Sequence, residues 1–132
     1  MAAYEVITGG SPWPSRYTFS PAVRAGNLLF ISGTTAGDER GQLVGPGDIV
    51  AQTRYIFQKF GRLLRAAGGG FEHIVETTDY VTTTENYAHT AAVRREFFGD
   101  RFPTATAEIS IRAPSRRSPA TITPVAVLPD KA

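Results

Sequence analysis

A single carboxylate within an apolar, strand-like stretch is the first feature of this sequence that could do chemistry. Residues 104–111 read TATAEISI, and Glu108 is their one charged residue. A carboxylate in apolar surroundings can have a raised pKa, which suits a general base. Glu108 is therefore the candidate catalytic residue. The open alternative is an outward-facing strand residue, or one half of an ion pair with Arg112 or Arg54.

Other reactive side chains have weaker patterns. Ser32 lies in ISGTT, which is not the sharp turn of a serine nucleophile, and no base accompanies it. Backbone N–H groups of Gly33 and Thr34 are the better candidates for contacting a ligand. His73 and His89 are sixteen positions apart on different elements, which matches no metal signature. No metal site is predicted.

Composition limits the classes of protein. The chain has 132 residues, 42% hydrophobic and 20% charged, which predicts one globular domain, 1–132. The absence of cysteine excludes disulfides, thiolate zinc sites and cysteine nucleophiles. The net charge is +2 with no basic stripe, so nucleic-acid binding is not expected. The N-terminus lacks the pattern of a signal peptide and no stretch is long enough to span a membrane, so a cytoplasmic protein is expected.

Two helices and five strands must position these residues. Asp48 is a predicted helix cap, apolar residues follow at helical spacing, and Gly68 suits the left-handed position after the helix. A second helix is predicted over 84–98, capped by Thr84. Glu76 and Asp79 are interpreted as ordinary strand charges. Residues 1–17 are predicted to be irregular, and strands are predicted over 17–23, 27–33, 73–83, 104–111 and 120–128.

This order predicts an α+β fold with two helices on one face of a sheet. The apolar run of residues 27–33 predicts a strand buried on both faces. Two helices can cover only one face of the sheet, and apolar residues occur at both strand parities. A second subunit is therefore expected on the other face, which predicts a homo-oligomer.

Four segments in order resemble the reactive-intermediate deaminase family, known as Rid or YjgF. They are FSPAVRAGNLLFISGTTAG, DIVAQTRYIFQKFGRLLRAAG, HIVETTDYVTT and FPTAT…ITPVAVLP, within residues 19–129. The most specific pieces are Gly26-Asn27-Leu28, Ser32-Gly33, Gln52-Thr53 and Gly68. The resemblance implies a chorismate-mutase-like α+β fold and a homotrimer with three clefts between subunits. It also implies hydrolysis of 2-enamines and 2-imines, such as iminopropanoate, to keto acids and ammonia without cofactor or metal.

The sequence departs from this family at the positions that bind the substrate. Aligned on Pro103, Ala105 stands where deaminating members have the Arg that holds the substrate carboxylate. Ala107 stands where many members have Cys, and Thr123 stands where members have a Glu that positions water. Phe19 stands at the position of a Tyr, and Ala91 stands at the position of an Asn. Losing charged hydrogen bonds costs about 1.5–3 kcal/mol each. The ligand is therefore predicted to be larger or less charged than a small 2-iminocarboxylate.

These observations predict a divergent, RidA-like hydrolase, deaminase-like in chemistry, in a specialised catabolic or biosynthetic pathway. Hydrolytic deamination or tautomerisation of an enamine, imine or related unsaturated intermediate is expected. Arg112 is a candidate for anion contact from a new direction. The alternatives are chorismatase-like hydrolysis of a ring-derived substrate and a non-catalytic trimer that binds a metabolite or partner. The predicted ligand contacts are Phe19, Ser32, Gly33, Thr34, Ala91, Ala105, Ala107, Arg112 and Thr123.

Overall fold

A mixed six-stranded sheet carries two helices. The computed structural model describes residues 3–109 and 120–130. The strands are β1 Glu5–Ile7, β2 Ala22–Ala25, β3 Leu28–Ile31, β4 Ile74–Val81, β5 Thr104–Ile109 and β6 Ala120–Val127, and the helices are α1 Ile49–Ala66 and α2 Thr90–Phe98. The order across the sheet is β1-β2-β3-β6-β4-β5, with β4 and β5 parallel and the other neighbours antiparallel. The predicted α+β class is confirmed.

Helix α1 follows its sequence signals closely. The Asp48 side chain accepts a hydrogen bond from the Ala51 N–H at 3.0 Å, as predicted for a helix cap. At the other end Gly68 has a φ of +85°, which a residue without Cβ adopts readily. The Gly69 N–H then donates to the Leu64 carbonyl at 2.8 Å, which closes the helix.

Both helices pack on one face of the sheet, which we call the covered face. Phe57 and Phe60 of α1 are fully buried, and so is Val93 of α2. Each large side chain buried in this way contributes roughly 1.5–3 kcal/mol relative to exposure. Leu29 and Ile31 of β3 complete the core from the sheet side. This layer is complete within one protomer.

The opposite face of the sheet, the open face, has no layer over it in the protomer. Leu28, Phe30 and Val127 are neighbours across β3 and β6, and they are 41%, 43% and 44% exposed. Val6 of β1 is 50% exposed. The prediction that the strand over 27–33 is buried on both faces is therefore wrong for one protomer, because its alternate residues point to this open face.

Three element boundaries differ from the predictions. Glu5–Ile7 form β1 within the segment predicted to be irregular, because they pair with β2. The strand predicted over 17–23 begins only at Ala22, after Pro21. The helix predicted from Thr84 begins at Thr90, since Asn86 has a φ of +59° that interrupts helical geometry and a 3-10 turn follows it.

Candidate functional site

A groove of the described protomer lies beside the N-terminal loop. It has a volume of about 830 Å³. Four segments line it: the loop of residues 8–21, the turn of residues 32–35, the loop of residues 37–43 and one side of α1. Of the predicted ligand contacts, Phe19, Ser32, Gly33 and Thr34 lie here. The structure thus brings one half of the predicted site together.

The turn Ser32-Gly33-Thr34 is held by hydrogen bonds within the protein. Ser32 Oγ donates to the Ser20 carbonyl at 2.6 Å, and Thr34 Oγ1 donates to the Ser32 carbonyl at 2.8 Å. The Thr34 N–H donates to the Ile122 carbonyl at 3.0 Å, so it is already used within the protomer. The Gly33 N–H makes no hydrogen bond to residues 3–109 or 120–130. Gly33 is therefore the backbone donor of this turn that a ligand can use.

Three aromatic rings form one wall of the groove. Trp13 contacts Tyr17 and Phe19 edge to face, with ring centroids 5.1 and 5.4 Å apart, and Tyr17 stacks on Phe19 at 5.4 Å. Trp13 Nε1 also donates to the Phe19 carbonyl at 2.7 Å. Such mutual packing fixes ring orientation without a covering layer. The arrangement supplies an apolar surface for a planar ligand.

Lys59 brings a cation into the same groove from α1. Its Nζ donates to the Thr35 and Gly37 carbonyls at 2.8 and 2.7 Å and lies 5.5 Å from the centroid of the Tyr55 ring. Burial lowers the pKa of Lys59 to about 8, assisted by the nearby Arg62 charge and opposed by Asp38. A substantial neutral fraction near neutral pH makes this amine a possible nucleophile.

The second half of the predicted site lies on the edge strand β5. Ala105 and Ala107 pair with Thr77 and Asp79 of β4, whose side chains are buried on the covered face. Glu108 pairs with Tyr80 and therefore belongs to the open face, opposite to Ala105 and Ala107. All six residues of β5 are exposed in the protomer. In the protomer, no layer therefore covers the side chains of β5 on either face of the sheet.

Glu108 makes no ion pair with Arg54, one of the two partners left open by the sequence. Arg54 Nε lies 3.1 Å from a carboxylate oxygen of Glu96, which is its partner instead. Arg112 falls outside the described residues. Ala91 lies in the first turn of α2 and is partly buried.

Thr123 belongs with the turn at residues 32–34 rather than with the edge strand. It lies on β6, and a Cβ built on Gly33 would come 3.3 Å from Thr123 Oγ1. Thr34, Ile122, Asp79 and Ala107 form one row across the sheet. Three strand spacings therefore separate the turn from β5, about 14 Å. A small ligand cannot touch both halves within one protomer.

Asp79 is a buried acid rather than the ordinary strand charge that was predicted. It is 5% exposed, and the Tyr87 hydroxyl donates to its Oδ2 at 2.7 Å. Burial raises the pKa of Asp79, while the Tyr87 hydrogen bond and the Arg94 charge oppose this shift. Asp79 lines a water-sized cavity of about 10 Å³ below α2. Because this cavity is so small, the cluster is a structural feature and not a substrate site.

Sequence reasoning missed Asp79 and Lys59, although weak signals existed for both. Asp79 has the same strand parity as the buried Thr77 and Val81. Lys59 lies three positions after the buried Ile56, on the inner side of α1.

Among the described residues no group of three or more acidic or histidine side chains is arranged to hold a metal ion. Within residues 3–109 and 120–130, no helix has the length and apolarity needed to cross a membrane.

Comparisons with known proteins agree on one family. The family model described as endoribonuclease L-PSP matches residues 11–127. A RutC family protein of Pyrococcus horikoshii is 31% identical over 109 residues, which are 83% of this chain and 86% of that protein. The structure of the Rid protein family member YyfA from Yersinia pestis is 26% identical with a TM-score of 0.84, covering 96% of this chain and 100% of that one. A YjgF-family protein from Mycobacterium tuberculosis is 26% identical with a TM-score of 0.78, covering 95% and 99%.

Proposed function

Because this chain belongs to the endoribonuclease L-PSP family, also called Rid or YjgF, we propose that it is a small-molecule enzyme that hydrolyses an imine, enamine or related unsaturated intermediate. Hydrolysis of an imine needs a site that holds the substrate, donors that orient it and a base that activates water. In the described protomer, the groove offers the substrate site and the orienting donors, and β5 offers a candidate base.

One observation carries this proposal: Gly33 lines a groove of about 830 Å³, and its N–H makes no hydrogen bond to another described residue. Its neighbours Ser32 and Thr34 are already held by internal hydrogen bonds, so the turn keeps its shape without ligand. A preorganised donor of this kind stabilises developing negative charge at little reorganisation cost. The aromatic wall beside it favours a planar, partly apolar ligand.

The complete site in this proposal lies between two protomers of a homotrimer. The open face exposes Leu28, Phe30 and Val127 as neighbours, and monomeric proteins rarely expose large contiguous apolar patches. The turn and the edge strand lie too far apart to share a ligand in one chain. In the proposed assembly a neighbouring protomer covers the apolar patch. The groove of one protomer then faces β5 of the next, where Glu108 serves as the base.

The absence of a guanidinium at position 105 limits which substrates the proposed site can hold. Ala105 and Ala107 on β5 have only methyl groups to offer. A ring-derived enamine or a substituted imine, held by the aromatic wall, depends less on a carboxylate anchor than 2-iminopropanoate does. We therefore expect 2-aminomuconate to be a better substrate than 2-iminopropanoate.

The test measures ammonia released from freshly generated 2-iminopropanoate and from 2-aminomuconate, with chorismate hydrolysis followed in parallel. The proposal expects release above the buffer rate with at least one imine or enamine, and the larger effect with 2-aminomuconate. RNA should stay intact, because the groove mixes basic residues with Asp38 and Glu39 instead of forming a basic stripe. No acceleration with any of these substrates would overturn the proposal.

A non-catalytic role in binding a metabolite or protein partner is the second candidate. The observation that favours it is the edge strand, where Ala105 stands at the position of the Arg that holds the substrate carboxylate in deaminating members and Ala107 at a position where many have Cys. A binding protein should show a rise in melting temperature with a ring-derived keto acid while releasing no product from the corresponding imine.

A further inference from the structure

From the position of its amine in the groove, we propose that Lys59 forms a covalent imine with 2-oxo and 2-imino compounds. This inference rests on the proposed function, because it names the reactive residue and substrate class of the same groove. The geometric basis is that Nζ lies in the wall of a groove of about 830 Å³, between two carbonyls and an aromatic ring.

The hydrogen bonds of Lys59 are compatible with a neutral amine. Thr35 and Gly37 carbonyls accept two N–H bonds at 2.8 and 2.7 Å. A neutral amine has two N–H groups and one lone pair, so it can keep both bonds and still present the lone pair elsewhere. The two carbonyls thereby fix the nitrogen while leaving it able to attack.

The charges around Lys59 act in opposite directions on its protonation, and burial decides the outcome. Arg62 from α1 opposes protonation, whereas Asp38 from the 37–43 loop favours it, and burial outweighs Asp38 so that the pKa of Lys59 is about 8. At pH 7.5 roughly a quarter of such amines are neutral, against about one in a thousand for an ordinary lysine. Arg62 is 42% exposed and lies 3.8 Å from Glu39, a loose pair that leaves its guanidinium able to attract a substrate carboxylate.

The chemistry balances without a further reactant. The neutral Lys59 amine attacks C2 of a 2-imino compound and forms a C–N bond. Both bonds between C2 and the original nitrogen break in turn, that nitrogen takes the two protons lost by the neutral Lys59 amine, and it leaves as ammonia. Water then adds to the lysine imine and releases the keto product with the free amine. With a 2-oxo compound the first step instead expels one water.

The sequence makes this inference unusually testable, because it contains only two lysines, Lys59 and Lys131, and no cysteine. The protein is incubated with pyruvate and sodium cyanoborohydride, which reduces an imine to a stable N-carboxyethyl group. Peptide mass mapping then reports labelling at Lys59, at Lys131 and at the N-terminal amine. We expect Lys59 to be labelled about tenfold faster than Lys131 at pH 8. Equal rates, or an unlabelled Lys59, would overturn the inference.

The pH dependence gives an independent readout. Labelling at Lys59 should rise with pH through a midpoint near 8, because its neutral fraction grows there. An ordinary lysine amine has a midpoint of about 10.4. A midpoint at that ordinary value for Lys59 contradicts its proposed environment.

Variants separate this inference from the proposed function. Lys59→Arg keeps donors for the two carbonyls but cannot form the imine, and Lys131→Arg is the matched control. If ammonia release in Lys59→Arg equals that of the wild type, the inference fails and the proposed function stands. If wild-type Lys59 is labelled while no imine is hydrolysed, the covalent amine stands and the proposed function fails.

A chemical rescue guards against misfolding of the arginine variant. Because the chain has no cysteine, Lys59→Cys places a single thiol that 2-bromoethylamine converts into a lysine analogue. Restored labelling and turnover after this alkylation support Lys59 as the reacting amine. A folded, fully alkylated protein without restored labelling contradicts it.

Discussion

The two faces of the sheet differ in how complete they are within one protomer. The covered face has fully buried rings such as Phe57 and Phe60, and the buried Asp79 accepts a hydrogen bond at Oδ2 from Tyr87 while its Oδ1 has no donor among the described residues. The open face exposes Leu28 and Phe30, and the edge strand beside it is exposed along its whole length. From this difference we propose that the covered face determines the stability of the chain, whereas the open face and the edge serve assembly and activity.

The largest effect is expected from a charge on the open face. Phe30→Glu places a carboxylate between Val23 and Val125, where a neighbouring protomer would bury it. Because burying an unpaired charge is very costly, the assembly should dissociate and imine hydrolysis should disappear with it. Light scattering should report about three times the 14.3 kDa chain mass for the wild type and the single-chain mass for the variant.

Gln58→Glu is the matched control, since it adds the same charge at an exposed position of α1. It should leave both the mass in solution and the rate unchanged. An unaltered mass for Phe30→Glu would contradict the proposed role of the open face.

A smaller but still large effect is expected at the edge strand. Glu108→Gln removes the proposed base without changing side-chain size, so turnover should fall about 10²–10⁴-fold while the mass in solution stays constant. Glu76→Gln on the adjacent strand, which is also exposed, is the control and should retain the wild-type rate. Wild-type turnover in Glu108→Gln would remove Glu108 from the mechanism.

On the covered face, stability should change without loss of assembly. Tyr87→Phe removes the hydroxyl that donates to Asp79 at 2.7 Å, which should lower the free energy of unfolding by about 1.5–3 kcal/mol at pH 7. Since burial raises the pKa of Asp79, this deficit should shrink as pH falls through the raised pKa toward 3.8, where the carboxyl group is neutral in the native state.

Urea denaturation at several pH values measures this prediction. The exposed Tyr4→Phe change is the control and should have no effect at any pH. A deficit for Tyr87→Phe that is independent of pH would show that the Asp79 carboxylate is not the group affected.

The smallest effect is expected for a surface ion pair. Arg54 and Glu96 join α1 to α2 at 3.1 Å, but their side chains are 40% and 47% exposed. Exposed pairs contribute about 0–1 kcal/mol, so Glu96→Gln should shift the free energy of unfolding by less than 1 kcal/mol and only at low salt. A larger loss would mean that the contact between the helices depends on this pair.

The elements that were predicted correctly are those with strong local signals. Helix α1 combines an Asp48 cap, helical spacing of apolar residues and Gly68 at its end. Strand β1 was missed because three residues at an edge carry little local pattern, and pairing with β2 decides their structure. The start of α2 was misplaced because Thr84 and Asn86 favour caps and turns alike.

The candidate site was predicted only where neighbours in sequence supply it. The turn at Ser32 and Gly33 is contiguous and is one of the pieces that carry the family resemblance, so the sequence could indicate it. Lys59 enters the groove only because the 37–43 loop and the N-terminal loop fold against α1. Contacts between segments that are distant in the sequence produce no recognisable spacing of residues, so the sequence alone does not indicate them. The alternation of side chains along β5 follows from the strand alone, whereas its pairing with β4 and its separation from the turn required the strand order.

Subunit complementation tests the central claim most directly, which is that one cleft joins the groove of one protomer to β5 of another. Thr34→Trp fills the groove, and Glu108→Gln disables the edge; each homotrimer should be inactive. Refolded together in equal amounts, they should recover roughly a quarter of wild-type activity, because each mixed trimer has one intact cleft of three. Mixed trimers that are seen by native mass spectrometry but remain inactive would contradict the account.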